Sequence, residues 1–469
     1  MNRSEREILG PLELLKDRDI LAEESSEQGP AVSFTHPKLQ EYLYKLQPES
    51  RRTFLHQEIG LFLEGQLNSG RRDSKLYPQL IYHFSASGNL LKALRYRIDS
   101  LNYHLTFSHA IFPILSNTEI DPESTLYISR DKIDALFQNL ESDLQHVQHS
   151  VPRSQELELL ELKFFYMRGR YLILEGQYET GVNDINYAIE KSKQLGSSAY
   201  TLECYKQLLF YYIQIDAPRE MAEYIELALN LAVRNNDHKE IGVMLRLKGL
   251  YYMLTGSYDQ AERMLTGSID TLSVTEELAK RYAINIAAAY NYIGEIRQAR
   301  EDYSGALTLF RKAVSLCPKG ALSGLSVFYI NIGKTCYFLS DFAGAREYFE
   351  KAYSLYGQFD SFWKRPILDS YMALTLVEEG DFQQALTYLN NARTHMERMK
   401  NPSDLGTVYF VEALIRHKAE GNPDLDSVFR PQLSDSAEHY YSLALKHLNR
   451  HLDVYETNRL HQIFDTDDD

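Results

Sequence analysis

Residues 290–318, YNYIGEIRQAREDYSGALTLFRKAVSLCP, decide the fold, together with the parallel stretch 329–352, YINIGKTCYFLSDFAGAREYFEKA. The first places Tyr290, Ile293 and Gly294 ahead of Tyr303, Ala306, Phe310, Ala313 and Pro318. The second places Tyr329, Ile332 and Gly333 ahead of Phe342, Ala345, Phe349 and Ala352. These spacings are helical on both sides of a short polar break. A small residue on each of two antiparallel helices lets the backbones approach, and the large neighbours fill the gaps between successive pairs.

Working outward, Gly249, Tyr252, Tyr258, Ala261 and Leu265 repeat the pattern, as do Gly169, Tyr178, Gly181, Ile185 and Ala188. Phe382, Ala385, Leu389 and Ala392 keep its second half, as do Ala437, Tyr441 and Ala444. Met221, Ile225 and Ala228 form a degraded copy, and Tyr82 with Ala93 suggests another. Turns such as Thr255-Gly256-Ser257 and Glu379-Gly380-Asp381 separate the helices, and prolines such as Pro318 end the second ones. Small-x3-large-x2-small is the tetratricopeptide signature. The anchors 221, 261, 306, 345, 385 and 437 step by 40, 45, 39, 40 and 52, longer than the usual ~34. The residue pattern fixes the packing, so the extra length predicts longer helices rather than another architecture. Residues 420–436, EGNPDLDSVFRPQLSDS, read as a loop inserted within the last pair.

The predicted fold is all-α, a tetratricopeptide-like right-handed superhelix of about seven to eight pairs. Its expected partition is 1–70, a partial winged helix with linking helices; 71–155, a degenerate repeat and connector; 156–450, the array; and 451–469, a helix end with an acidic tail.

The chain has 469 residues, 44% of them apolar, with 50 Lys and Arg against 65 Asp and Glu, a formal net charge of −15. That balance argues against nucleic-acid or anionic-membrane binding, which needs a basic face. No run approaches the ~18 to 20 apolar residues of a membrane span. Three cysteines, Cys204, Cys317 and Cys336, show no paired spacing and predict small core residues in a reducing, cytoplasmic setting.

The first 70 residues break the repeat. EREILGPLELLKDRDI reads as a helix, DILAEES and AVSFTHPK as strands around SEQGP, and helices follow from Pro37 and from near Pro48. Phe34-x-His36, Tyr42, Arg51-Arg52-x3-His56, then Leu76, His83-Phe84, Gly88-Asn89 and Ala93 resemble a junction of the STAND-type signalling ATPases. There a winged helix hands over to tetratricopeptide-like repeats. Among these, the tyrosine-rich style is similar to the C-terminal region of soluble (type 10) adenylyl cyclases. The resemblance implies that cyclase and ATP-binding domains lie upstream of residue 1, in a longer protein or in a relative that kept only the regulatory half. A maltose-regulator type of transcription activator would need a helix-turn-helix and a basic surface that the residues after 445 do not provide.

Gly333-Lys334-Thr335 has the ending of a phosphate-binding loop, but position 328 is Phe where a Gly is required. The triplet therefore reads as part of a repeat helix. His439, His447 and His451 are spaced by multiples of four, one face of a continuous helix; with Leu after His447 the metalloprotease glutamate is absent, so packed or solvated imidazoles are expected. His36, His56 and His83 read as hydrogen-bonding links at the junction. The carboxylates are spread along helix faces beside Lys or Arg. No catalytic constellation, cofactor site or metal site is evident.

What is left is the inner wall of the array. The repeat register places Arg246, Asn291, Glu295, Asn331 and Lys334 near it, as candidates for gripping a peptide, a protein partner or the chain's own upstream domains. The expected function is a non-catalytic regulatory and protein-interaction region of a cyclase-like signalling protein. The alternative is a free-standing adaptor for a signalling partner.

Overall fold

The computed structural model describes residues 5–26, 29–67, 73, 75–108, 130–317, 322–357, 363–399 and 401–465. Among them run 23 helices and one two-stranded sheet. The chain groups into two compact units, Met1–Leu101 with Asn139–Pro152, and Asn102–Gln138 with Arg153–Asp469.

The first unit opens with α1 (Glu5–Asp17) and a hairpin of β1 (Leu21–Ser26) and β2 (Gly29–Phe34), antiparallel from Leu21↔Phe34 to Ser26↔Gly29. Helices α2 (Pro37–Leu46), α3 (Glu49–Glu64), α4 (Tyr77–Ala86) and α5 (Leu90–Ser108) follow. Helix, hairpin and trailing helices come in the expected order. Pro37 starts α2 where a missing N–H costs nothing. Gly60 lets α3 lie on Phe84 of α4, and Phe84, Leu80, Ala93 and Tyr96 make a small core. Phe84 points inward there and Tyr82 does not: Tyr82 is exposed, so it is not a repeat core position. Helix α6 (Arg130–Ser150) supplies residues to each unit.

The second unit is the array, built from seven antiparallel pairs. They are α7 (Gln155–Leu174) with α8 (Tyr178–Gln194), α9 (Ser198–Gln214) with α10 (Pro218–Arg234), and α11 (His238–Leu254) with α12 (Tyr258–Leu272). After the short α13 (Glu276–Arg281) come α14 (Ala283–Ala299) with α15 (Tyr303–Leu316), α16 (Leu322–Phe338) with α17 (Phe342–Tyr356), and α18 (Arg365–Glu379) with α19 (Phe382–Met399). The last pair is α20 (Pro402–Glu420) with α22 (Ala437–His447), and α23 (Val454–Phe464) ends the unit.

The long period has a local cause. Left-handed residues recur at Gly176, Gly196, Asp216, Asn236 and Gly256, each 20 after the last. A helix of 17 residues, as in α8 to α11, plus a three-residue turn fills that interval. The left-handed turn residue closes each helix with a backbone bond back to its last turn. The pair packing is equally regular. A Cβ on Gly249 would stand 2.6 Å from Leu265, and one on Gly294 would stand 2.6 Å from Phe310. Gly333 meets Phe349 in the same way. Each of these large residues sits four positions after a buried anchor, Ala261, Ala306 or Ala345. The cysteines are free, with Cys204 and Cys336 buried and Cys317 half-buried, and burial pushes the Cys336 thiol up to about 11.

Two sequence readings need correction. Residues 420–436 are not all loop, because Pro423–Phe429 form α21. Asn422 caps it by accepting from the Leu425 N–H, and Leu425 and Phe429 are buried against α19 and α20. His439, His447 and His451 do not share one helix face: α22 stops at His447, with Leu448 extended. His451 lies in the next turn against Gly256. Pro318 and the tail residues 466–469 lie outside the described residues.

Candidate functional site

The first helices of four consecutive pairs, α9, α11, α14 and α16, face a cavity of about 140 Å3. Their apolar contribution includes Phe210, Ile213, Leu250, Tyr292 and Phe328. Three of the five residues expected on the inner wall, Arg246, Asn291 and Glu295, line it. Asn331 joins them through hydrogen bonds: its Nδ2 donates to Asn291 Oδ1 at 3.0 Å and to Glu295 Oε1 at 2.8 Å. Asn291 Nδ2 donates to the same Glu295 oxygen at 2.6 Å. Burial pushes the Glu295 carboxyl above its ordinary range, opposed by Lys364 and by the two asparagine amides.

Arg246 is different. It is 7% exposed, no carboxylate pairs with it among the described residues, and its Nε has no hydrogen-bond partner. Its guanidinium lies 5.9 Å from the Tyr292 ring centroid, and burial lowers its pKa. An uncompensated buried cation is costly. Glu240, earlier on α11, is engaged by Lys206 at 3.1 Å.

The fifth residue, Lys334, turns to the C-terminal end of the chain. Its Nζ lies 2.8 Å from Glu456 on α23 and 4.9 Å from the Tyr371 ring centroid. Gly333-Lys334-Thr335 is helical throughout, with Thr335 Oγ1 donating to the Asn331 carbonyl, so it presents no free amides for a phosphate.

Sequence reasoning missed the far side of the cavity. Trp363 and Lys364 precede α18, Asn401 and Ser403 open α20, and Asn449 and Leu452 lie between α22 and α23. Lys364 is held in the left-handed region at φ 59° and reaches Asp404 at 3.3 Å. Burial opposes its charge, but Asp404, Asp453 and Glu295 keep its pKa above the ordinary value.

These residues arrive because the C-terminal part returns across the inner wall. Asn401 Nδ2 donates to the Gln214 carbonyl at 2.7 Å, Asn449 Nδ2 to Asp216 at 3.3 Å, and Asn458 Nδ2 to Glu301 at 3.1 Å. The Tyr258 hydroxyl donates to the His451 carbonyl at 2.6 Å, and Tyr455 stacks on Phe338 at 3.7 Å between centroids. The only available signal was a cap pattern, Asn401-Pro402-Ser403-Asp404, which marks a helix start but no destination.

In the first unit, His56 and His83 meet, Nδ1 to Nδ1 at 2.9 Å, with the Tyr44 hydroxyl 2.9 Å from His56 Nε2. His36 stands apart at the start of α2 and makes no side-chain cap bond. Among the described residues no group of three His, Cys, Asp or Glu is placed to hold a metal, and no helix is long and apolar enough to cross a membrane.

Residues 285–358 match the tetratricopeptide repeat family. No curated protein matches the chain in sequence. Among solved structures, a Rap protein complexed with competence and sporulation factor aligns with a TM-score of 0.53 at 14% identity, over 88% of this chain and 98% of its own. The apo form of the quorum sensor NprR from B. thuringiensis gives 0.50 at 14% identity, over 84% and 97%. A signal transduction ATPase with numerous domains and a tetratricopeptide repeat sensor, from Pyrococcus horikoshii, gives 0.42 at 14%, over 97% of this chain and 60% of its own. The chain is thus a tetratricopeptide-like helical-repeat superhelix of the kind seen in Rap and NprR.

Proposed function

We propose that the chain is a non-catalytic regulatory and interaction module whose inner wall receives a partner or ligand. The observation that carries this reading is Arg246, a buried cation with no carboxylate partner, on a cavity formed by four successive first helices. A structural role alone would select against an unpaired buried charge. The Rap structure, complexed with competence and sporulation factor, is a precedent for this fold in a complex with another factor. To test it, a photo-reactive amino acid at Val327, on the cavity wall, is irradiated in cells and adducts are identified by mass spectrometry. A discrete adduct that disappears in the Arg246→Met background is expected. No adduct above that background would overturn the reading.

The narrower reading, a regulatory region of a soluble adenylyl cyclase-like protein in the cytoplasm, is supported by the junction residues Phe34 to Ala93. Exposed Tyr42, Leu46, Phe54 and Phe62 on α2 and α3 also suit docking against another domain. Adding the chain to a separate cyclase catalytic fragment should change its rate of cAMP synthesis. An unchanged rate leaves the free-standing adaptor as the finer assignment.

A further inference from the structure

Three charged side chains around the cavity already have partners. Asp216 accepts from Asn449, Glu295 accepts from two asparagine amides, and Lys364 pairs with Asp404. Arg246 alone has no carboxylate within pairing distance among the described residues: its Nε is unbonded, and its polar contact is the Tyr292 hydroxyl. Guanidinium is always charged and matches a carboxylate with two parallel hydrogen bonds. The space is about 140 Å3, close to the ~150 Å3 apolar cavity known to admit a benzene ring. Its walls include Phe210, Tyr292, Phe328 and Trp363, which suit a flat apolar body.

Resting on the reading above and deepening it, we infer that this cavity binds a carboxylate carried on a single aromatic ring or a branched aliphatic group of similar size. The carboxylate pairs with Arg246, the apolar body lies among the aromatic walls, and the asparagine amides border it. The same chemistry is offered by a free monocyclic acid and by the C-terminal residue of a peptide. Asn449 and Leu452 of the returning segment also line the space, whose volume of about 140 Å3 limits the ligand to a body of about one side chain.

Trp363 is the one tryptophan of the chain, so its emission reports occupancy directly. Purified full-length chain is titrated with phenylacetate and with phenylacetamide, and in parallel with a short peptide ending in Phe as its free acid and as its amide. The acids should change Trp363 emission saturably, and each amide should bind at least roughly tenfold more weakly, as expected for loss of a charge-assisted pair. Arg246→Met should abolish the acid's advantage while the variant melts at the same temperature or higher, because an unpaired buried charge is removed. A stronger response to the peptide acid than to phenylacetate assigns the ligand as a peptide terminus, and the reverse assigns a free acid. No response to either acid, equal response to acid and amide, or an acid preference that survives Arg246→Met overturns the inference. If that happens while the Val327 adduct forms, the proposed function stands without this ligand; acid binding with no adduct would keep the cavity as a small-acid site and remove the protein partner.

Discussion

The Glu456 carboxylate lies 2.8 Å from the Lys334 ammonium and also accepts from the Tyr371 hydroxyl at 2.5 Å, tying the last helix to the inner wall of the array. Glu456 is 1% exposed and the Lys334 side chain 12%. Removing one partner of such a pair leaves a poorly solvated charge behind, at a cost of about 3 kcal/mol. Glu456→Gln should therefore speed hydrogen exchange across residues 454–464 roughly a hundredfold, leaving α7 to α10 unchanged. The double variant Lys334→Met, Glu456→Leu should recover most of the protection. Unaltered exchange in the single variant would show that the ion pair does not hold α23.

Gly333 is where the repeat geometry is least forgiving. An added Cβ there runs into the Phe349 ring, so Gly333→Ala should destabilise the chain by about 1–2 kcal/mol, overpacking outweighing the gain in helix propensity. Phe349→Leu in the same chain should give back part of that loss, a coupling that a double-mutant cycle of urea midpoints detects. Additive effects would contradict the close approach.

Asp453 predicts a pH dependence. It accepts from Ser403 Oγ at 2.8 Å and from the Asn449 N–H at 2.9 Å. Burial, reinforced by the nearby Glu456 charge and opposed by Lys334, pushes its carboxyl from 3.8 to about 7. The folded state thus binds a proton that the unfolded chain releases. Its contribution to stability is fully present below the unfolded pKa and is lost as pH rises towards about 7. Asp453→Asn should flatten this decline between pH 4 and ~7 in the difference between variant and parent melting curves. Parallel curves would remove Asp453 as the cause.

The His56–His83 contact carries the opposite sign. Only one proton fits between the two Nδ1 atoms, 2.9 Å apart. Burial, with Arg52 beside His56 and His56 beside His83, lowers both pKa values below 6.5. Stability from this pair is present above the unfolded pKa and is lost as pH falls below ~6.5. Exchange in α3 and α4, corrected for intrinsic rates, should rise between pH 7 and 5, and His83→Gln should weaken that rise. A profile insensitive to the variant would show that other groups drive it.

How much was legible from sequence follows the range of each interaction. Gly294 against Phe310 and Ala306 against its neighbours sit within one helical pair, so their 3.6-residue spacing is visible in a single stretch of chain. The 17-residue helices follow from the same spacing plus the long steps. The hairpin and the trailing helices near Pro37 and Pro48 were legible from turn and proline chemistry. Less visible were Asp216, Asn236, Glu301 and Ser340, which adopt the left-handed turn conformation that the sequence offers Gly for elsewhere. Each donates its backbone N–H to the carbonyl three residues earlier, which closes the helix end and holds the turn.

By itself, the sequence determined a tetratricopeptide-like array, its helix-pair registers and the placing of Arg246, Asn291, Glu295, Asn331 and Lys334 on first helices. Which of those residues stay uncommitted was decided by tertiary structure. Lys334 is taken by Glu456, Asn331 by Glu295, and Arg246 alone keeps an unsatisfied Nε. The cavity's far wall, from Trp363 to Leu452, comes from a return of the chain over separations of 187 residues between Gln214 and Asn401 and 233 between Asp216 and Asn449. Local periodicity reports which face of a helix is buried. It carries no information on which distant segment covers that face, because such closure is settled only by the summed curvature of the stacked pairs.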